Sequence, residues 1–215
     1  MQQEIIIVIE RKDLLRQDRF CGIRVNTDLY IKRLNEHFFT ASREESEKRT
    51  DWKQPIPYVM VTRGKKIFTT RRTKNSGEER LHGKLSVGIG GHMRPQGESS
   101  RSFSQLLKRN LYRELTEELN FLPELSIDDL NQCLTSIGIL NDDRDEVGRC
   151  HFGLIYQLMV PETTEVAVRE TDKLQGQFQH PDDIPLDPEI TEGWSVICLK
   201  HLIENSDGGL TIAQQ

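Results

Sequence analysis

Glu114, Glu117 and Glu118 crowd into the stretch RELTEELN, Arg113 to Asn120. On a helix, residues three and four apart are surface neighbours, so Glu114 faces both Glu117 and Glu118. The helix that would carry them ends here, and its exposed carbonyls repel each anion by a few tenths of a kcal/mol. Local propensity therefore opposes the cluster. A divalent cation would compensate it, because Mg2+ takes carboxylate oxygens in octahedral geometry and keeps several waters. Arg113 lies four residues before Glu117, so its guanidinium can orient a carboxylate through a charge-assisted bond.

The elements that must position these groups follow from the apolar pattern. Phe103, Leu107, Leu111 and Leu115 recur at four-residue steps with Leu106 beside them, which predicts a core-packed helix from about Ser99 to Leu119. Asn120 is expected just past its end in a left-handed conformation, where asparagine is the best substitute for glycine. Upstream, LSVGIGG predicts a short strand closing on Gly90 and Gly91. Ile56 to Val61, a turn at Gly64-Lys65, and IFTTRR ending at Arg71-Arg72 predict a hairpin. TKNSGEERLHGK is expected to be a polar loop.

Ahead of that hairpin, EIIIVIE (residues 4 to 10) reads as a strand, and TDLYIKRLNEHF as a helix with Leu29, Leu34 and Phe38 on one side. The polar stretch TASREESEKRTDWKQP is expected to separate this part from the core. Downstream, LTSIGIL and GRCHFGLIYQLMV read as strands joined by the acidic turn NDDRDEV, QGQFQ as a further strand, and WSVICLKHLIEN as a closing helix. The chain has no repeat and no low-complexity segment.

The order strand, Gly90-Gly91, loop with Gly97-Glu98, then a helix ending R-E-L-T-E-E-L-N resembles the Nudix hydrolase signature G-x5-E-x7-R-E-U-x-E-E-x-G-U, where U is a bulky aliphatic residue. Arg113, Glu114, Leu115, Glu117 and Glu118 match its second half without a gap, and Asn120 stands where the family has glycine. The combination RRT, LHGK, GIGGH and VGRCHFGLIY is most similar to a bacterial subgroup labelled predicted phosphoesterases. From Gly91 to Arg113 there are 21 intervening residues, eight more than the signature allows. Aligning Glu98 with the family glutamate puts seven of the extra residues after it, close to two helical turns, which leaves the glutamates unrotated. The ungapped alternative puts Gln105 there.

The resemblance implies an α/β (α+β) Nudix fold: a mixed β-sheet sandwiched between helices, preceded by a strand-and-helix extension. Residues 1–55 would be that extension packed on the core, 56–205 the hydrolase domain and 206–215 a tail. It implies Mg2+, or Mn2+ in its place, held by Glu114, Glu117, Glu118 and the carbonyl of Gly90. The reaction would be hydrolysis of a phosphoanhydride in a nucleoside diphosphate-linked or other small diphosphate compound. Arg72, His92, Glu98 and Glu170 are candidates for substrate contact. His151 reads as a satisfied strand residue, and Asp142, Asp143, Asp145 and Glu146 as a solvated turn rather than a second metal site.

Charge and composition bound the remaining classes. A net charge of −5 leaves no basic stripe for a nucleic acid polymer. No apolar run reaches the length that spans a bilayer, and the opening strand lacks the features of a leader. The 4 cysteines are scattered without a C-x-x-C pair, so neither zinc nor a disulfide framework is indicated, and the cytoplasm is the expected compartment. A homodimer is an allowed assembly. The competing class is a binding or regulatory module of the same fold that recognises a diphosphate without cleaving it. Isomerisation of a prenyl diphosphate lacks a suitably placed cysteine.

Overall fold

The computed structural model describes residues 3–73, 83–95 and 102–206. In chain order its elements are β1 (Ile5–Glu10), α1 (Arg11–Leu14), β2 (Gly22–Arg24), α2 (Asp28–His37), β3 (Phe39–Ser42), α3 (Arg43–Ser46), β4 (Trp52–Arg63), β5 (Lys66–Arg72), β6 (Leu85–Ser86) and β7 (Ile89–Gly90). There follow α4 (Phe103–Glu118), β8 (Leu119–Leu122), α5 (Ile127–Cys133), β9 (Leu134–Asn141), α6 (Glu146–Cys150), β10 (His151–Met159), β11 (Glu165–Val168), β12 (Leu174–Gln179) and α7 (Gly193–Ser206). The fold is α+β with a mixed sheet. No described helix is long and apolar enough to cross a membrane.

The chain divides into two compact units. The first comprises Met1–Val59, Ile89–Glu118 and Leu125–Leu158. Here the strands run in the order β4, β10, β9, β2, with β7 pairing on β4 through Tyr58↔Gly90 and Val59↔Ile89. The β-branched run of β1 is buried from Ile6 to Ile9 and pairs antiparallel with β3, then with the start of β4. Helix α4 buries Phe103, Leu106, Leu107, Asn110, Leu111, Glu114 and Leu115. Two polar residues, Asn110 and Glu114, thus lie on the apolar stripe one turn apart.

The second unit comprises Met60–Gly88, Leu119–Glu124 and Met159–Gln215. The end of β4 turns through Gly64-Lys65 into β5, with Arg63↔Lys66 as the closing pair. Gly64 sits at φ +55, which is why glycine serves there. β12 and β6 add to β5, and β8 pairs with β11 as a separate ribbon.

Four expectations change. Leu29 is half-exposed, and α2 instead buries Tyr30, Arg33 and Leu34, because the buried face is rotated by one residue. The polar stretch after Phe38 is no linker: it forms β3 and α3, Ser42 caps α3 by accepting from the Glu45 amide at 3.2 Å, and Ser46, Lys53 and Gln54 are buried. LSVGIGG breaks into β6 and β7, which pair with β5 and β4 respectively. Asn120 is not a left-handed cap. The chain passes from α4 directly into β8, where Asn120 is exposed, extended and opposite Ala167. Residues 74–82 and 96–101, among them Glu98, lie outside the described residues.

The strand position of Asn120 reverses the ranking that a cap would give. Valine is favoured on an exposed strand and glycine is not, so Asn120→Val is expected to be more stable than Asn120→Gly by on the order of 1 kcal/mol. Urea denaturation midpoints measure this, and a more stable glycine variant would contradict the strand.

Candidate functional site

Arg113 is the meeting point of the first unit's polar groups. Its Nη1 donates to Glu117 Oε2 at 2.9 Å. Its Nη2 faces Glu114 Oε1 at 2.6 Å, Asn110 Oδ1 at 3.0 Å and the His92 carbonyl at 2.9 Å. The helix supplies Asn110, Arg113, Glu114 and Glu117 from adjacent turns, and the peptide after β7 supplies the carbonyl. The i to i+4 spacing seen in the sequence is thus realised as a bond, and one guanidinium gathers two of the three glutamates.

The two carboxylates differ. The Glu114 side chain is 10% exposed and that of Glu117 is 52% exposed. Burial holds the Glu114 carboxyl above its ordinary range; the charge of Glu117 adds to this, and Arg113 opposes it. Glu118 is partly exposed at the last turn. Among the described residues no group of three or more His, Cys, Asp and Glu side chains is arranged to hold a metal ion. Arg113 occupies the position between Glu114 and Glu117 instead.

The double glycine has a steric reason. A Cβ on Gly90 would collide with the Pro57 carbonyl, and one on Gly91 would lie 2.6 and 2.7 Å from the Glu114 oxygens. Gly90 lets β7 close on β4, and Gly91 lets the carboxylate reach the backbone. The next three residues form a strap. The His92 carbonyl accepts from Arg113, the Met93 carbonyl accepts from the Ile7 amide at 2.7 Å, and Asn110 bonds both the amide and the carbonyl of Arg94, at 2.9 and 3.0 Å. β1 and α4 therefore hold the strap from either side.

The His92 and His151 rings meet, Nε2 to Nε2 at 3.3 Å. His151 Nδ1 lies 2.7 Å from the Val147 carbonyl. Burial, then the nearby Arg43 and His151, push His92 down to about 3. Beside them Glu4 receives Arg43 at 3.1 Å and Arg94 at 3.0 Å, and Arg43 also bonds Glu47 at 2.7 Å.

The acidic turn is only partly solvated: Asp145 and Glu146 are exposed, whereas Asp142 is buried and Asp143 half-buried. Asp142 is 6% exposed and paired with Arg144 at 2.7 Å; Asp145 caps α6 by accepting from the Gly148 amide at 2.7 Å. Asp143 accepts from Arg11 and from Lys53 at 2.9 Å. Lys53 is fully buried and spends its other two donors on the carbonyls of Gly148, at 2.8 Å, and His151, at 2.9 Å. Burial brings Lys53 down to about 8, and Arg11 and Lys53 draw Asp143 down to about 2 against the burial that opposes them. These acids lock the N-terminal segment to the start of β10. They carry charge for the fold.

The remaining candidates lie in the second unit. Arg72 ends β5 opposite Leu174, and its carbonyl accepts from the Gly83 amide at 2.8 Å. Glu170 is exposed and paired with Lys173 at 2.9 Å. Sequence reasoning misses Asn110, Arg94 and the Glu4–Arg43 pair. Asn110 alone leaves a signal, as a polar residue on the apolar stripe one turn before Glu114.

Comparison with known proteins adds the following. No family model matches the chain. Over 200 residues it is 33% identical to protein YmaB of Bacillus subtilis (strain 168), covering 89% of this chain and 94% of that one. The crystal structure of Tm1382, provisionally assigned as a Nudix hydrolase, is similar at 27% identity and TM-score 0.74, covering 94% of this chain and 99% of that chain. A Nudix hydrolase from Alicyclobacillus acidocaldarius shares the fold at 14% identity and TM-score 0.52, over 71% of this chain and 91% of that one.

Two outcomes are expected here. Gly91→Ala displaces the Glu114 carboxylate, which is the flexible partner in the clash, and so changes the melting temperature little while altering the site; a crystal structure with Glu114 unmoved would contradict this. Asp143→Asn leaves the Lys53 charge buried with a weaker partner and costs about 3 kcal/mol, and Lys53→Met costs about as much, because Arg11 and Asn141 still satisfy Asp143 but the carbonyls of Gly148 and His151 lose their donor. Since the folded-state value of Asp143 is depressed from 3.8, its contribution is complete above about pH 4 and lost as pH falls through about 2. Acid melts of Asp143→Asn should therefore be flatter than wild type in that window.

Proposed function

This chain belongs to the Nudix hydrolase superfamily, and we propose that it is a magnesium-dependent enzyme that cleaves a phosphoanhydride bond in a small diphosphate compound, such as a nucleoside diphosphate linked to a second group. The observation that carries the reading is the convergence of Glu114 and Glu117 on Arg113 beside the side-chain-free Gly91.

The donor set fits a hard cation. Carboxylate oxygens and a backbone carbonyl are the ligands that Mg2+ prefers, and the missing Cβ of Gly91 leaves room at Glu114. Arg113 Nε is buried without an acceptor among the described residues, so the guanidinium is one bond short of a closed structural pair. Glu114, Glu117, Glu118 and the Gly90 carbonyl would hold the ion. When bound, it supplies neutralisation of the diphosphate oxygens and a lowered pKa for the attacking water.

The chain's own groups do the positioning. Arg113 fixes the rotamer of Glu114 and holds Glu117 within reach. Asn110 and Arg113 together fix the strap, which keeps the backbone after Gly90 in register with the helix end. A cytoplasmic location goes with this reading and is supported by the four cysteines, all of them free thiols.

A binding module without hydrolysis is the second reading. The same ion pairs favour it, since Arg113 already satisfies Glu114 and Glu117. Turnover separates the two. Glu117→Gln and Glu118→Gln should each lower magnesium-dependent release of phosphate or monophosphate from a panel of nucleotide diphosphates by about a hundredfold or more, with an unchanged fold. Unaltered rates in both variants would remove the catalytic assignment. Millimolar Mg2+ should also raise the melting temperature of the wild type at neutral pH, by mass action on the folded state, and should not do so in the Glu114→Gln, Glu117→Gln, Glu118→Gln triple variant.

A further inference from the structure

We propose that His92 and His151 form a two-histidine site for a borderline divalent transition metal ion, of which Zn2+ and Co2+ are representatives, separate from the glutamates at the end of α4. Their Nε2 atoms are 3.3 Å apart. That is long for a hydrogen bond between ring nitrogens. It is the separation of two nitrogens that each lie about 2.0–2.1 Å from one tetrahedral ion, which places them about 3.3 Å from each other.

The tautomer of His151 follows from its partner. The Val147 carbonyl can only accept, so the proton of the neutral ring sits on Nδ1 and the lone pair of Nε2 faces His92. A ligating histidine commonly donates its other ring N–H to a backbone carbonyl in just this way, which fixes ring orientation. Both backbones are anchored independently of the rings. The His151 carbonyl accepts from the buried Lys53, and the His92 carbonyl accepts from Arg113.

Burial and Arg43 keep the His92 ring neutral, which is the form that ligates, and nearby carboxylates offset part of the positive charge beside it. Arg43 and Arg94 are paired with Glu4, and Arg43 also with Glu47. Both residues are partly exposed. Among the described residues no third His, Cys, Asp or Glu side chain joins the pair, so water or an added ligand would fill the remaining positions. Imidazole suits zinc and cobalt, whereas magnesium prefers oxygen, so saturating Mg2+ should leave the pair available. The alternative is an ordinary hydrogen bond from His92 to His151.

The test is titration of the metal-free full-length protein with Co2+, then Zn2+, in excess Mg2+. Visible absorption reads Co2+ coordination, and calorimetry reads stoichiometry. Wild type should bind one ion per chain with a tetrahedral-type spectrum that Zn2+ abolishes. His92→Gln and His151→Gln should each weaken binding tenfold or more, while Glu117→Gln binds as wild type. Metal-free melts of the histidine variants establish that they are folded. No spectrum in the wild type, wild-type binding in the variants, loss in only one of them, or loss in Glu117→Gln would each overturn the site. The readout is binding rather than turnover, so the result stands apart from whether the glutamates catalyse.

Discussion

A guanidinium that must satisfy two carboxylates and two other acceptors from four directions can sit in only one place. Arg113 is that constraint. Glu114 lies on the buried stripe of α4, and a buried carboxylate without a paired charge costs several kcal/mol. Arg113 removes that penalty and, through the same nitrogen, fixes Asn110 and the His92 carbonyl. The unfavourable run of like charges at a helix end is therefore tolerated because one cation is built into the cluster.

From that point the first unit can be followed outward. The strap from His92 to Arg94 is held on one side by Asn110 and Arg113 and on the other by the Ile7 amide of β1. β1 leads into Arg11, which with Lys53 neutralises Asp143, and Lys53 in turn holds the His151 carbonyl. The N-terminal segment, α4 and the start of β10 are thus joined through buried polar bonds at two places. Breaking either should loosen the geometry of the glutamates or of the histidine pair without touching the apolar core.

Much of this is legible in the amino-acid order. The leucine period of α4, the β-branched run of β1, the Gly64-Lys65 turn and the glutamate cluster each have a local physical signature that tertiary packing does not override. The differences share a cause. Helix-end chemistry points to a left-handed Asn120, but strand pairing with Ala167 decides its conformation. The acidic turn looks solvated because Arg11 and Lys53, its partners, are distant in sequence. The polar stretch before β4 holds buried Ser46, Lys53 and Gln54, whose burial depends on contacts that composition cannot show. Asn110 is legible only as an exception on an apolar face, and Glu4 with Arg43 and Arg94 leaves no local signal.

The central claim is that the end of α4 carries the ion of a hydrolase rather than a closed salt bridge. The most direct measurement is a crystal structure of the full chain with Mn2+ and a non-hydrolysable diphosphate analogue, using anomalous scattering to locate the metal. The account predicts an anomalous peak against the carboxylates of Glu114 and Glu117, with the analogue's phosphates on the same ion. An ordered analogue with no peak at these residues, and with Arg113 still bonded to both glutamates as in the free protein, would contradict it.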